Sequence, residues 1–368
     1  MTYNWQQKDW PDFHYDLAKV EDVLFDFARI AGRVSGLLEG LPETTQTEAL
    51  IDMIVSEAIK TSEIEGEYLS RDDVISSVRN NLGLNLPVER INDKRAEGAA
   101  ELMVNVREGY RAELSEGVLF DWHRMLMKGS RRIQAGVWRD HKEPMQVVSG
   151  PIGKETVHYE APPSSAVPKE MKRFIQWFND TDKGGAAEIK KPAIRSAIAH
   201  LYFETIHPFE DGNGRVGRAL SEKALSQGLG RPVLLSLSRT IEANKNAYYE
   251  ALKTAQRCNE ITPWIEYFVA VVLDAQIEAE AHIDFTLKKA KFFDRYEDQL
   301  NARQLRIVRR MLEEGIKGFE GGMSAKKYGV IAKTSKATAT RDLQDLVEKK
   351  VLIPLGGGRS TRYDVNIH

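Results

Sequence analysis

Residues 207–218 read His-Pro-Phe-Glu-Asp-Gly-Asn-Gly-Arg-Val-Gly-Arg, and this dozen restricts the fold more than any other stretch. Upstream, 191–206 is patterned as a helix, and Pro208 makes continuing that helix costly. Asp211-Gly212-Asn213-Gly214 is a tight-turn sequence in which glycine tolerates positive φ and close backbone approach. Arg215 then opens a second helical pattern, 214–228. Backbone N–H groups of a Gly-rich turn at a helix N-terminus bind anions, above all phosphates. Arg215 and Arg218, three residues apart, can face one anion together. Asp211 is a carboxylate placed to hold Mg²⁺ between phosphate oxygens. His207, at the other lip, carries the side chain that exchanges a proton near neutral pH. The plainer alternative is a helix-turn-helix with a capping aspartate and a packed histidine.

The rest of the chain is mostly helical in pattern. Apolar residues at Leu17, Val20, Val23, Leu24, Phe27, Ile30, Ala31 and Val34 mark one buried helix face over 15–39. Further helices are predicted at 44–62, 70–81, 89–109, 115–127, 168–180, 242–257 and 261–285. Strands are predicted centrally only at 144–148 and 156–159, flanking Ser149-Gly150-Pro151-Ile152-Gly153. With 368 residues, two or three domains are expected. The composition, 42% hydrophobic and 29% charged, supports packed cores. A net charge of −2 excludes a bulk nucleic-acid coater. The single cysteine, Cys258, excludes an intramolecular disulfide and a multi-cysteine zinc site. The longest strongly apolar run, 268–273, is far short of the roughly 20 residues that span a bilayer. The N-terminus lacks the basic and apolar regions of a secretory signal. A cytoplasmic protein with no membrane association is expected.

The 207–218 stretch resembles the signature of the Fic family, His-x-Phe-x-(Asp/Glu)-Gly-Asn-Gly-Arg-x-x-Arg, at every specified position. The resemblance implies a mainly α, helical Fic fold with a small β-hairpin flap. It implies transfer of a nucleoside monophosphate, usually AMP from ATP, to a protein hydroxyl. His207 would then be the general base and Asp211 the metal ligand for Mg²⁺. Phe209 would anchor the loop in the core. Gly212, Asn213 and Gly214 would cradle the phosphates, with Asn213 placing the α-phosphate. Arg215 and Arg218 would hold the β- and γ-phosphates, with Val216 and Gly217 part of the same ATP-binding segment. Downstream, relatives place an adenine-contacting tyrosine where this chain has Tyr248 and Tyr249; Tyr249 is favoured, and either could instead be core. The hairpin fits the family's flap, with Val147, Val148, Val157 and His158 pinning a target segment by strand addition.

Thr61, Glu65 and Gly66 match the family's inhibitory pattern (Ser/Thr)-x-x-x-Glu-(Gly/Asn). The resemblance implies that Glu65 pairs with Arg218 and fills the space of the γ-phosphate. Without it, Glu65 is a surface residue and Gly66 a helix C-cap. The first 40 residues resemble the leader of larger bacterial Fic proteins and suggest no function of their own.

Near residue 290 the character changes. From Arg295 to His368 there are 15 Lys/Arg against 9 Asp/Glu, leaving the preceding residues net acidic. Helices at 301–313, 324–332 and 335–349 and strands at 351–353 and 361–365 outline a winged helix. Ser335–Leu343 would open its recognition helix, and Gly356-Gly357-Gly358-Arg359 would form the wing tip. The sequence thus divides into an N-terminal helical region with the inhibitory helix (1–110), a Fic catalytic domain (111–290) and a winged-helix domain (291–368). The expected partners are ATP and a target protein with a Ser, Thr or Tyr hydroxyl, this chain itself included. DNA through the C-terminal domain and a homodimer are further candidates. Two other readings stay open: a DNA-binding regulator whose Fic domain senses a nucleotide, and a Fic enzyme that removes AMP or transfers another nucleotide.

Overall fold

A computed structural model describes residues 2–149, 156–357 and 361–367. The Gly/Pro-rich connection at 150–153 and the wing-tip residues Gly358 and Arg359 lie outside the described residues. The described chain is mainly helical and forms two compact units, one of residues 1–32 and 50–277, the other of 33–49 and 278–368. The division drawn from sequence at residue 110 falls within the first unit.

The first unit takes in α1 (Glu21–Glu39) and α2 (Glu43–Ile64) in part, then α3 (Arg71–Asn81), α4 (Lys94–Glu108) and α5 (Glu116–Leu126). There follow strands β1 (Gln146–Ser149) and β2 (Thr156–Glu160), then α6 (Val167–Asp180), α7 (Pro192–Ile206) and α8 (Asn213–Leu229). α9 (Leu237–Ala243), α10 (Lys245–Ala255) and the start of α11 (Thr262–Tyr296) complete it. Two helices start later than their periodicity predicts. α1 begins at Glu21 because Asp16 caps a separate short turn at Leu17–Lys19. α4 begins at Lys94 because the Asp93 side chain accepts from the Arg95 amide and caps it there. The single helix predicted at 242–257 is interrupted at Asn244, whose φ of −143° and ψ of 56° end α9 and start α10.

α7 is the centre of this unit. Proline at its first position costs no hydrogen bond, and every residue from Ala193 to Ile206 is buried. Such a helix has no solvent face, so it is packed on all sides. α8 packs along it, bounded by two left-handed glycines, Gly212 (φ 83°) and Gly230 (φ 72°). Trp122, Phe174, Phe178, Tyr202, Phe203 and Phe209 fill the surrounding core. Each such side chain contributes about 2–3 kcal/mol relative to exposure.

The second unit holds α12 (Ala302–Leu312), α13 (Ala325–Ile331), α14 (Lys336–Glu348) and an antiparallel pair, β3 (Leu352–Leu355) and β4 (Arg362–Val365), in register Leu352↔Val365. Asn301, Ser324 and Ser335 cap the three helices. α11 runs to Tyr296, past the predicted end at 285, because Phe292 and Tyr296 belong to this unit's core with Ile307, Tyr328, Leu343 and Leu352. Asp342 is buried there and is satisfied by the Tyr328 hydroxyl (2.8 Å) and Arg303 Nε (3.0 Å). No described helix is long and apolar enough to cross a membrane.

Candidate active site

The site forms where α7 stops. His207 adopts left-handed backbone angles (φ 50°, ψ 61°), uncommon outside glycine. Its amide still donates to Phe203 O (2.9 Å). Its carbonyl accepts from Arg139 Nε (2.7 Å), and the same guanidinium donates to the carbonyls of Pro162 (2.6 Å) and Ile206 (3.3 Å) and to Ser164 Oγ (2.9 Å). Arg139 is 2% exposed, so one buried cation fixes the strained turn to the segment that follows β2. Phe209 is fully buried and stacks on His123 at 4.0 Å, anchoring the loop as the resemblance implies.

Beyond it, Gly212 lets the chain enter α8 with no side-chain cap, so the first amides of the helix, at Asn213, Gly214 and Arg215, are left for an anion. The Asn213 side chain is otherwise engaged: its Oδ1 accepts from Phe209 N (2.9 Å) and its Nδ2 donates to Phe209 O (2.8 Å). It closes the loop. Val216 sits in the core with its amide on Gly212 O. Gly217 faces α7, where an added Cβ would lie 2.6 Å from Glu204 Oε1 and 3.1 Å from His200 Nδ1. It is a spacer for those two side chains.

A carboxylate of the same chain, Glu65, lies at the start of α8. A Cβ on Gly214 would collide with Glu65 Oε1, and that oxygen accepts from Arg218 Nη2 at 2.7 Å. Arg218, only 1% exposed, also donates to Thr61 Oγ1 (2.8 Å) and Thr61 O (2.9 Å), while its buried Nη1 has no hydrogen-bond partner among the described residues. Burial lowers the Arg218 pKa, but Glu65, Tyr248 and Glu204 together outweigh it and the net shift is upward. The end of α2 presents this carboxylate through a Schellman turn. Glu67 N donates to Ser62 O, Gly66 N donates to Glu63 O, and Gly66 is left-handed at φ 80°. The same turn aims Glu67 at the second arginine: Arg215 Nη1 donates to Glu67 Oε2 at 2.9 Å. Arg215 Nη2 also lies 3.4 Å from Asp211 Oδ1, which accepts from the Gly212 amide at 2.6 Å.

His207 opens on a cleft of about 600 Å³ lined by Glu65, Gly214, Tyr249, Lys253 and the hairpin residues Val147, Val148 and His158. β1 and β2 pair antiparallel with a bulge between Val147 and Val148. Val147, Val148 and Val157 are exposed large apolar side chains; Val157 is the one of the four flap residues outside the cleft lining. The leader supports this hairpin: Trp5 Nε1 donates to Glu160 O (2.9 Å) and Tyr3 meets Tyr159 edge-on at 5.0 Å. The two tyrosines separate cleanly. Tyr248 is 2% exposed with its hydroxyl 2.8 Å from His200 Nε2, whereas Tyr249 is 40% exposed and donates to Ile64 O (3.3 Å).

Sequence reasoning missed Glu67, Arg139 and Glu204. Glu204 was within reach, since i,i+3 spacing puts it on the same helix face as His207. Nothing local marks Arg139, which acts through tertiary contacts.

Residues 113–225 match the family model described as Fic/DOC family, and residues 3–84 match a domain of unknown function, DUF4172. The second match contains Thr61, Glu65, Gly66 and Glu67. The chain is 28% identical over 166 residues to Protein adenylyltransferase fic-1 of Caenorhabditis elegans, covering 45% of this chain and 28% of that protein. It is 32% identical over 112 residues to Protein adenylyltransferase Fic of Nematostella vectensis, covering 30% and 25%. It thus spans about a quarter of the length of these relatives. Among solved structures, it resembles a Fic family protein from Desulfovibrio desulfuricans G20 with a TM-score of 0.57 at 21% identity, over 96% of this chain and 98% of that one. A Fic domain containing signaling protein from Bacteroides thetaiotaomicron VPI-5482 gives 0.53 at 15% identity, over 70% and 97%. Motif, helical fold and family match agree: residues 113–225 form a Fic/DOC family domain.

Proposed function

We propose that this protein transfers AMP from ATP to a hydroxyl of a target protein, or to one of its own, and is autoinhibited by Glu65. One observation carries the reading: His207, Gly214 and Glu65 line one cleft, and Glu65 is hydrogen-bonded to the buried Arg218. In the reaction, the target hydroxyl oxygen bonds to the α-phosphorus as the α–β bridging bond breaks. The hydroxyl proton passes to His207, and pyrophosphate leaves on Arg215 and Arg218. Such transfer rests on positioning and charge neutralisation. The backbone of Gly212–Gly214 approaches the phosphates, Tyr249 the adenine, and Val147, Val148, Val157 and His158 the target strand.

Mg²⁺ suits this donor set. Asp211 is a single carboxylate, 53% exposed at the lip with one oxygen already on an amide, and Mg²⁺ commonly takes one or two carboxylates together with substrate phosphates. When bound there, it neutralises phosphate charge. Among the described residues no three-ligand cluster of His, Cys, Asp or Glu competes for it.

Glu65 and an ATP phosphate need the same arginine, so removing Glu65 should expose the activity. The test is incubation of the wild type and Glu65→Gly with labelled ATP or GTP. Label from ATP in the variant, above the wild type, is expected; no label in either protein would overturn the reading.

The second unit supports a separate proposal, a winged helix that binds duplex DNA. α14 starts with the exposed residues Ser335, Lys336, Thr340 and Arg341, and the segment from Arg295 onward is basic. Titration of the full chain with duplex DNA at about 50 mM salt tests it; absence of binding there rules it out.

A further inference from the structure

Among the described residues, three buried polar atoms at the site end of α7 have no hydrogen-bond partner: His200 Nδ1, Glu204 Oε1 and His207 Nδ1. Glu204 is the carboxylate among them. Its side chain is 6% exposed, and its Oε2 lies 3.7 Å from His207 Nδ1, one helical turn away. That is ion-pair range and slightly beyond a hydrogen bond, the looseness common before substrate tightens a site. Burying a carboxylate that makes only one long ion pair is costly, so its retention needs a reason. Gly217 supplies the room, since any Cβ there would strike Glu204 Oε1.

We infer that Glu204 is the positioning residue for His207: it accepts the Nδ1 hydrogen and so leaves the Nε2 lone pair for the incoming hydroxyl. Glu204 stays ionised throughout, and the proton taken up by Nε2 is stabilised by the charge behind it, as in other carboxylate–imidazole pairs. The surrounding groups agree. Burial pushes the Glu204 carboxyl up, but His207, His200 and Arg218 outweigh this and hold it below its ordinary value. Burial also holds His200 below the ordinary imidazole value, hence neutral near pH 7. His200 Nε2 shares a 2.8 Å hydrogen bond with the Tyr248 hydroxyl, and its Nδ1 is the atom on the Glu204 side, next to Gly217. A second imidazole therefore faces the same carboxylate.

The inference rests on the AMP-transfer reading, and its test has an arm independent of that reading. In the full chain, labelled at histidine with ¹⁵N, His207 should be the Nδ1–H tautomer in the wild type. Glu204→Leu, which removes the acceptor at similar volume, should shift it toward Nε2–H. An unchanged tautomer overturns the inference whatever the enzyme does. In the Glu65→Gly background, Glu204→Gln keeps shape and loses charge. It should lower kcat by about 10- to 100-fold, the scale typical of a lost orienting partner, with KM for ATP within twofold and partial rescue by Glu204→Asp. An equal loss in KM, or an unchanged kcat, overturns it. Absence of transfer in Glu65→Gly itself would count against the AMP-transfer reading and leave the tautomer result standing.

Discussion

Two helix N-termini in this chain carry the same ingredients in opposite settings. At α8, uncapped amides and two arginines are buried, and carboxylates of the same chain already neutralise them. At α14, Ser335 caps the helix and Lys336 and Arg341 stand exposed. Local sequence supplies basic residues at both. What differs is the dielectric around them. In the α8 site, charges interact strongly and must be paired, so it suits one small anion in a fixed geometry. At α14 water weakens each contact, and only a polyanion offering many of them would be held.

The largest effect should come from His207→Ala. It leaves both arginine ends intact and should lower transfer by at least about 10² while ATP binding persists. Transfer at the wild-type rate would mean that α8 is a binding end only, and the contrast with α14 would shrink to affinity.

Next is Glu65→Gly. Loss of a charge-assisted hydrogen bond to a buried arginine is worth about 1.5–3 kcal/mol, so ATP affinity and self-labelling should rise about 10- to 100-fold. Isothermal titration with ATP and Mg²⁺ measures the first. The double variant Glu65→Gly/Arg218→Ala should then match Arg218→Ala alone, because both changes address one contact. Strict additivity would show that the cradle and the carboxylate do not share Arg218.

Glu67→Gln should give a smaller gain, about two- to fivefold, since Arg215 keeps Asp211 as a second partner. An effect as large as that of Glu65→Gly would make Arg215 the principal contact.

The smallest effect belongs to the exposed end. Arg341→Ala should weaken duplex DNA binding by a few-fold and reduce the slope of log affinity against log salt by about 1. ATP binding at α8 should vary far less between 50 and 200 mM salt, because buried pairs are poorly screened. Equal salt dependence at both sites would erase the distinction.

The local part of the site was readable and the tertiary part was not. His207, Phe209 and Asp211–Arg218 lie in one uninterrupted stretch, and the turn and the helix start follow from that stretch alone, whereas the anchoring role of Phe209 comes from the family resemblance. The resemblance implies that Asn213 places the α-phosphate, but no local signal shows that its side-chain amide also latches the Phe209 backbone. Tyr248 and Tyr249 are adjacent, and only packing beside His200 decides which is core. Glu67 needed the left-handed turn at Gly66 to come into line with Arg215, and Arg139 needed the return of the chain after β2. In the fold, helix periodicity located the elements but not their ends at Asn244 or Asp93, where a backbone kink and a capping side chain decide.

The Gly66 turn also sets how the site would respond to ATP in solution. A carboxylate carried a few residues from a fixed helix end competes at an effective concentration set by geometry, on the order of millimolar or above for a short tether. Diluting the protein does not dilute this competitor. If Glu65 acts as proposed, the ATP level at half-maximal labelling should be the same at any enzyme concentration. A concentration-dependent midpoint would then point to relief supplied in trans, by another molecule that draws the end of α2 away.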